Sequence, residues 1–380
     1  MAPIAPDDLV TVRRVAGVRD LRRFIDLPYR LHEGTPWVPP LRLERWVFLT
    51  RRFNPFFTHG RAEYFLALSG GRVVGRITAQ VDDSFNRYHL SRQGAFGFLE
   101  FEDDQEIVDA LLARAEHWLR AEGCDRMVGP MDFSMNDECG VLIEGFEHAP
   151  MLRQSWHPPY YEERCEKAGL VKVMDLYSWH LNTPEDREHV NPILPKLAEL
   201  ARQEHGIELR TMSRRHLRRE LDAFAEVYNE AWADNWGFSP FEKADLDAYV
   251  MDLQLAHTKG GFVLAERHGE TVGMSITLLD LNQVLAQIGG RLLPWGWWHY
   301  LRRYHRCDQI RIGFLGVKPR HQHTGAAAAM YMEAYDLTER LGVAHAEAGW
   351  ILENNTEMNR ALEALAFTLW KRYRLYERAL

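Results

Sequence analysis

The sequence predicts a mixed α/β protein built from two tandem copies of one unit, and three observations carry that expectation. Short apolar strands alternate with amphipathic helices along the whole chain, the pattern of a mixed sheet covered by helices. A hairpin pattern recurs: residues 64–78 read YFLALSGGRVVGRIT and residues 262–276 read FVLAERHGETVGMSI. At this offset of 198, Leu66, Ala67, Gly71, Val74 and Gly75 meet Leu264, Ala265, Gly269, Val272 and Gly273. Further blocks then follow in the same order in both halves, which one chance match would not produce.

Each hairpin is an apolar strand, a glycine-bearing turn and a second strand. The next strand opens Gly97-Phe98-Leu99 in the first half and Gly313-Phe314-Leu315 in the second. Ile107, Leu111, Ala115 and Trp118 recur at helical spacing until Gly123 supplies the stop. Ala327, Met330, Ala334, Leu337 and Leu341 do the same before Gly342. A strand follows each glycine: CDRMVGP in the first half, AHAEAGWIL in the second. A helix then closes near Glu166–Leu170 or Glu363–Phe367, and a tyrosine-rich strand ends each half at 173–180 or 369–376. The polar, proline-bearing stretch 182–192 reads as a linker, so the expected domains are 1–182 and 193–380. The halves differ in their extra length. The first carries PMDFSMNDECGVLIEGF and WHPPYY between Gly123 and Gly169, and the second carries GGRLLPWGWWHYLRRYHR between hairpin and helix. Loops that long in a compact domain tend to be functional.

Composition sets the outer limits. A chain of 380 residues exceeds one ordinary core, and 46% hydrophobic with 26% charged residues excludes disordered and collagen-like classes. The formal charge of −8 argues against nucleic acid as the partner. Cys124, Cys139, Cys165 and Cys307 offer neither a C-x2-C zinc pair nor a disulfide framework, so reduced thiols in a cytoplasmic protein are expected. The N-terminal stretch has acids where a secretion signal needs a basic start, and no run approaches the ~20 apolar residues of a membrane span. No stable membrane insertion is expected.

The chemistry concentrates after the strand ending at Val317. Lys318-Pro319-Arg320-His321-Gln322-His323-Thr324-Gly325-Ala326-Ala327 is a Gln-x-x-Gly-x-Ala motif at a strand-to-helix junction. Small residues let a ligand approach the backbone, and the N–H groups and dipole of a helix start bind phosphate. Lys318, Arg320 and the two histidines add a field expected to favour an anion. The sequence is neither a Walker loop nor a G-x-G-x-x-G fingerprint, and His321 with His323 lacks the further ligands of a metal site, so no metal is expected. The equivalent junction in the first half, Glu100-Phe101-Glu102-Asp103-Asp104-Gln105-Glu106, places acids where a pyrophosphate would lie. That half is expected to be structural or to shape the substrate site.

At these residues the chain resembles the GNAT superfamily of acyl-CoA-dependent N-acyltransferases, in the tandem form found in bacteria. Val317-Lys318-Pro319, Gln322, Gly325 and Ala327, then Asn355 after the next strand and Phe367 twelve residues later, match its pattern, with Ala366 where the family has glycine. The resemblance implies two tandem GNAT-like domains, the first degenerate and the second binding acetyl-CoA or another acyl-CoA. It implies that Leu315, Gly316 and Val317 bond pantetheine through the backbone. Gln322, His323, Thr324, Gly325, Ala326 and Ala327 would cradle the pyrophosphate, and Asn355 would contact the cofactor. The implied reaction is transfer of an acyl group, acetyl being the common case, by direct attack of a small-molecule or amino-acid-derived amine. A peptide or aminoacyl-type transferase and a non-catalytic acyl-CoA sensor are the other readings.

The family's leaving-group tyrosine falls on Leu362, which leaves that role to water, Tyr331 or Tyr373. Amine attack on a thioester also needs a proton acceptor. Glu353 beside Asn354 and Asn355 is the first nominee and Glu347 the second, against the plain alternative of solvated strand-end acids. For the acceptor, Asp234, Asn235 and Trp236 in the aromatic block 229–238 form either a pocket or ordinary core. The insert 292–306, LLPWGWWHYLRRYHR, reads as a lid, an interfacial segment, a basic aromatic surface or an interdomain contact.

Overall fold

A computed structural model describes residues 9–241, 257–292, 296–303 and 307–380. In chain order the elements are β1 (Thr11–Arg14), α1 (Gly17–Leu31), α2 (Arg42–Leu49), β2 (Gly60–Ser69), β3 (Arg72–Asp82), α3 (Asp83–His89), β4 (Gln93–Phe101) and α4 (Gln105–Ala121). There follow β5 (Arg126–Gly129), β6 (Val141–Glu144), α5 (Tyr160–Lys167), β7 (Val171–Asn182), α6 (Ile193–Gln203), β8 (Ile207–Thr211) and α7 (Leu217–Ala231). The chain continues through β9 (His257–Arg267), β10 (Glu270–Leu279), α8 (Asn282–Ile288), α9 (Gly296–Arg303), β11 (Gln309–Val317) and α10 (Ala326–Leu341). It ends in β12 (His345–Leu352), α11 (Thr356–Ala364) and β13 (Thr368–Ala379). The hairpins, the glycine-stopped helices and the tyrosine-rich strands stand where the pattern predicts them.

The fold divides into two compact units, and they are not the consecutive halves expected. The first takes residues 1–175, 285–298 and 371–380, the second 176–284 and 299–370. Each tyrosine-rich strand thus leaves its own half partway: β13 pairs with β5 from Tyr376↔Gly129 to Ala379↔Arg126, while β7 pairs with β12 from His345↔Asn182 to Leu352↔Leu176. The two strands share one pattern, so each sheet buries an equivalent partner and only the connectivity changes. Residues 182–192 are likewise no free linker. Thr183 N–H donates to Ala344 O at 2.9 Å and Asn191 N–H to Ala364 O at 2.8 Å, both within the second unit.

In the first unit the strands run β1-β2-β3-β4-β5-β13, with β6 also on β13, and only β4–β5 is parallel. Helix α4 packs Ile107, Val108, Leu111, Leu112, Ala115 and Leu119 on this sheet because they share one helical face. In the second unit the order is β7-β12-β11-β10-β9-β8, with β11–β12 parallel. Helix α10 contributes Ala326, Ala329 and Met330 to a core shared with Ala198 and Ala201 of α6.

The acidic run of the first half is consumed by its own unit. Glu100 is buried, accepts from the Tyr161 hydroxyl at 2.8 Å and lies 2.7 Å from His32 Nε2. Burial alone would raise its pKa, but His32 and then Arg76 outweigh it and hold the carboxyl at about 2. Glu102 pairs with Arg30 and Arg72, Asp103 pairs with Arg164, and Asp104 caps α4 by accepting from Glu106 N–H.

Behind this network, burial holds the imidazole of His157 down at about 4, and its Nδ1 accepts from Leu142 N–H at 3.2 Å. A folded pKa below the ordinary ~6.5 means that the unfolded chain binds the extra proton first. The His157 contribution is therefore complete above about pH 6.5 and is lost as pH falls through about 4. Asp137, raised to about 6 by burial, works in the opposite direction, so the test is a comparison. His157→Gln, which keeps an acceptor for Leu142, should flatten the decline in urea stability between pH 6.5 and 4 by roughly 1–3 kcal/mol. Parallel profiles for the two proteins would refute the assignment.

Candidate functional site

The site is built where two parallel strands part. The β11–β12 ladder joins Gln309–Ile312 to His345–Ala348 and stops, although β11 continues to Val317 and β12 to Leu352. On its other edge β11 pairs with β10 as far as Gly273↔Val317, with a register shift that skips Gly313. Among the described residues, the stretch Gly313–Val317 thus has a sheet partner on one side and an open wedge on the other. Backbone donors and acceptors along such an edge suit an extended ligand that adds to the sheet.

Aromatic side chains cover one face of this stretch of β11. A Cβ at Gly316 would lie 2.2 Å from the Trp232 indole, so the ring sits directly on the glycine backbone. Tyr228, one helical turn earlier on α7, stacks on Trp232 with centroids 5.0 Å apart at 21°. Phe314 packs edge-on to Phe224 at 5.5 Å, and Phe238 and Phe241 close around Tyr228. Tyr228 is the residue that sequence reasoning passed over, while Trp232 lay inside the aromatic block 229–238. Their i, i+4 spacing was the available signal. Asp234, Asn235 and Trp236 lie just beyond, in the turn where Asn235 N–H donates to Trp232 O at 2.9 Å; Asp234 is exposed and the other two are half-buried.

At the end of β11, Pro319–Thr324 forms a 3-10 turn and Gly325, at φ +74°, starts α10. Gln322 and His323 are exposed, Thr324 is buried with its hydroxyl donating to His321 O at 2.6 Å, Ala326 is buried and Ala327 half-buried. A Cβ at Gly325 would approach Leu197 O to 3.0 Å and Ala201 Cβ to 3.2 Å. The glycine therefore serves the packing of α10 on α6 as well as the turn.

The expected cationic field is corrected by the structure. Lys318 is fully buried, with its Nζ 2.5 Å from Glu226, 3.2 Å from Glu270 and 3.5 Å from Glu230. Arg320 pairs with Glu230 at 3.2 Å and with Glu270. The Arg320 guanidinium holds Glu270 at about 2, and hydrogen bonds to Glu226 and Glu270 keep the Lys318 ammonium above its ordinary value despite burial. Two cations thus face three carboxylates.

Glu347 stands one residue before the end of the ladder, buried, and accepts from the Ser178 hydroxyl of β7. Arg311, opposite it in the register, donates to Gly349 O through Nε at 3.1 Å and Nη2 at 2.8 Å. Glu353 is half-buried just past the end of β12. The Asn355 side-chain oxygen caps α11 by accepting from Met358 N–H at 3.1 Å. The Tyr331 hydroxyl, its pKa pushed up by burial, donates to Met358 Sδ at 2.9 Å. Leu362 lies in the second core. Tyr373 is buried and pairs with Leu142 in the first unit. In the insert, residues 293–295 and 304–306 lie outside the described residues, while 296–303 form α9. Among the described residues, no three His, Cys, Asp or Glu side chains are grouped to hold a metal.

The first unit has the same parting of strands, already filled. Its parallel ladder ends at Ala95↔Val128, after which Met131 N–H donates to Phe96 O at 2.8 Å and Phe98 N–H to Asp132 Oδ1 at 2.8 Å. A Cβ at Gly97 would meet Met131 O at 1.9 Å. The extra loop of this half plugs its own wedge.

A parting of parallel strands beside a strand–turn–helix junction recurs in two similar units, open in the second and filled in the first. The chain belongs to the same family as a bacterial ceramide synthase, and its fold is that of tandem GNAT proteins. It is 35% identical over 372 residues, 95% of either chain, to the bacterial ceramide synthase of Caulobacter vibrioides. It is 31% identical to protein YghO of Escherichia coli over 374 residues, 97% of this chain and 95% of the other. No protein-family profile matches the chain. Among solved structures, a tandem GNAT protein from the clavulanic acid biosynthesis pathway superposes with a TM-score of 0.57 over 98% of both chains at 14% identity. A GCN5-related N-acetyltransferase from Sphaerobacter thermophilus gives 0.54 at 14% identity, over 97% of this chain and 95% of that one.

The contact between Trp232 and Gly316 is open to test. Gly316→Ala should lower stability by about 1–3 kcal/mol, because the indole has to move off the strand. In a Trp232→Ala background the same change should cost less than half as much in urea denaturation. Additive losses would show that the two residues do not touch.

Proposed function

We propose that the protein is an acyl-CoA-dependent N-acyltransferase whose second unit joins a long-chain acyl group to the amine of a long-chain amino alcohol. The carrying observation is the aromatic cluster of Trp232, Tyr228 and Phe314 over one face of β11 beside the wedge, an apolar surface suited to an alkyl chain. The relative named a bacterial ceramide synthase supports the same chemistry, since a ceramide is the N-acyl derivative of a long-chain amino alcohol. This reading replaces acetyl, the common donor of the superfamily, with a fatty acyl group. The acceptor remains a small-molecule amine.

In this reading the backbone of Leu315, Gly316 and Val317 takes the pantetheine amides. The turn from Gln322 to Ala327 holds the diphosphate through N–H groups, with Gly325 permitting the turn. The amide nitrogen of Asn355 is left for a cofactor contact, because its oxygen caps α11. Backbone N–H on the wedge side of β11 stabilises the oxyanion as the amine attacks the thioester carbonyl. Glu347, held by Ser178 at the apex of the wedge, accepts the amine proton, and Glu353 is the second candidate. The departing thiolate takes its proton from Tyr331 or water; Tyr331 is held only by a thioether, a weak acceptor. Asp234, Asn235 and Trp236 border the acceptor side. The first unit, its wedge filled, binds no CoA.

Release of CoA thiol tests the reading. Palmitoyl-CoA with a long-chain amino alcohol should exceed acetyl-CoA with the same acceptor by at least about tenfold in kcat/KM, ~1.4 kcal/mol. Trp232→Ala should erase most of that difference. Glu347→Gln should lower kcat about a hundredfold with acyl-CoA affinity kept, and calorimetry should give one CoA per chain. A preference for acetyl-CoA would overturn the long-chain reading. Binding without turnover across amines would favour the sensor.

A further inference from the structure

The first unit holds a cavity of about 380 Å³ that the acyl-transfer chemistry does not use. It is lined by Arg22, Ile25 and Asp26 of α1, Arg42 and Trp46 of α2, and Arg291. Three guanidinium groups and one carboxylate line it: Asp26 lies 3.0 Å from Arg42 Nε and 3.5 Å from Arg22 Nε, and Arg291 is the third cation. Arg42 is fixed in place, its guanidinium 3.7 Å from the centre of the Tyr29 ring and its N–H donating to Gly290 O at 3.1 Å. Two positive charges are therefore left over, in a chain whose formal charge is −8. A ligand for this cavity is an anion.

The rim is apolar. Val18, one helical turn before Arg22, is 69% exposed, and Leu43, next to Arg42, is 71% exposed. Val47 beside Trp46 is also exposed, as are Trp297 and Trp298, where Trp297 N–H bonds back to Leu292 O at 2.8 Å, next to Arg291. Exposed aliphatic and indole side chains on the segments that line an arginine-bearing hollow combine the two affinities of a phospholipid surface. The cations meet headgroup phosphates, and the apolar groups enter the boundary with the acyl chains.

We infer that this face of the first unit docks on an anionic phospholipid bilayer, the arginine cavity receiving a lipid phosphate. Docking of this kind is peripheral, and no described helix is long and apolar enough to cross a membrane. The inference does not depend on the acyl-transfer reading, because vesicle binding is measured without turnover.

The test is flotation of the full-length protein with vesicles of phosphatidylcholine alone or mixed with phosphatidylglycerol, at low and high salt. The protein should float with the mixed vesicles, less so at high salt, and poorly with phosphatidylcholine alone. R22E/R291E and, separately, L43E/V47E should each reduce partitioning at least about tenfold while circular dichroism and turnover of soluble substrates stay unchanged. If a double variant fails to fold, R22Q/R291Q and Trp297→Ala provide milder versions that should each lose part of the binding. Failure to float with mixed vesicles, or equal flotation of wild type and variants, overturns the inference. Thermal stabilisation by inorganic phosphate without flotation does so too, since it would make the cavity a site for a free anion.

Discussion

The structure of the second unit depends on one constraint, that β11 and β12 remain a parallel pair for four residues and then separate. Separation leaves strand backbone without its usual partner, which costs free energy unless something else takes the bonds. The apex is accordingly built from buried polar groups with defined partners. Arg311 reaches past the last rung to Gly349 O, and Glu347 is held by Ser178 from the next strand. On the outer side Trp232 can cover β11 only because residue 316 has no Cβ. The opening is thus held from both sides by contacts that a paired ladder would not need.

The first unit shows what the same topology does when no opening is kept. There the backbone at Met131 and the side chain of Asp132 satisfy β4 where the strands part, and the acids that follow are tied to His32, Tyr161, Arg30, Arg72 and Arg164. Glu100 and His157 are buried in the same unit as this plug. The contrast explains the unequal insert lengths: the surplus of the first half supplies the plug.

Much of this was legible in the sequence. Hairpins, helices and the Gln-x-x-Gly-x-Ala turn are local patterns, and the repeat made each half a check on the other. What escaped were pairings across long separations. Nothing in 318–320 reveals that Glu226, Glu230 and Glu270 neutralise Lys318 and Arg320, so the loop reads as basic until it is folded. Tyr373 was grouped with the second half because the chain places it there. An exchange of two strands with the same alternating pattern leaves no trace in hydrophobic periodicity, since either strand satisfies either sheet. Gly316 was legible as a residue but not as a reason, because the indole that requires it comes from a helix far earlier in the chain.

The neutralised loop also bears on which donors the site suits. A cradle whose cations are already paired attracts a diphosphate less at long range, so more of the selection falls to short-range contacts along the wedge. Those contacts are backbone hydrogen bonds and aromatic carbon, and only the second scales with chain length: each buried methylene contributes ~0.8 kcal/mol, whereas the backbone bonds are common to every acyl-CoA. Under the proposed function, the tail of the donor sets affinity and the pantetheine arm sets position. That division of labour gives the aromatic wall a purpose beyond core packing.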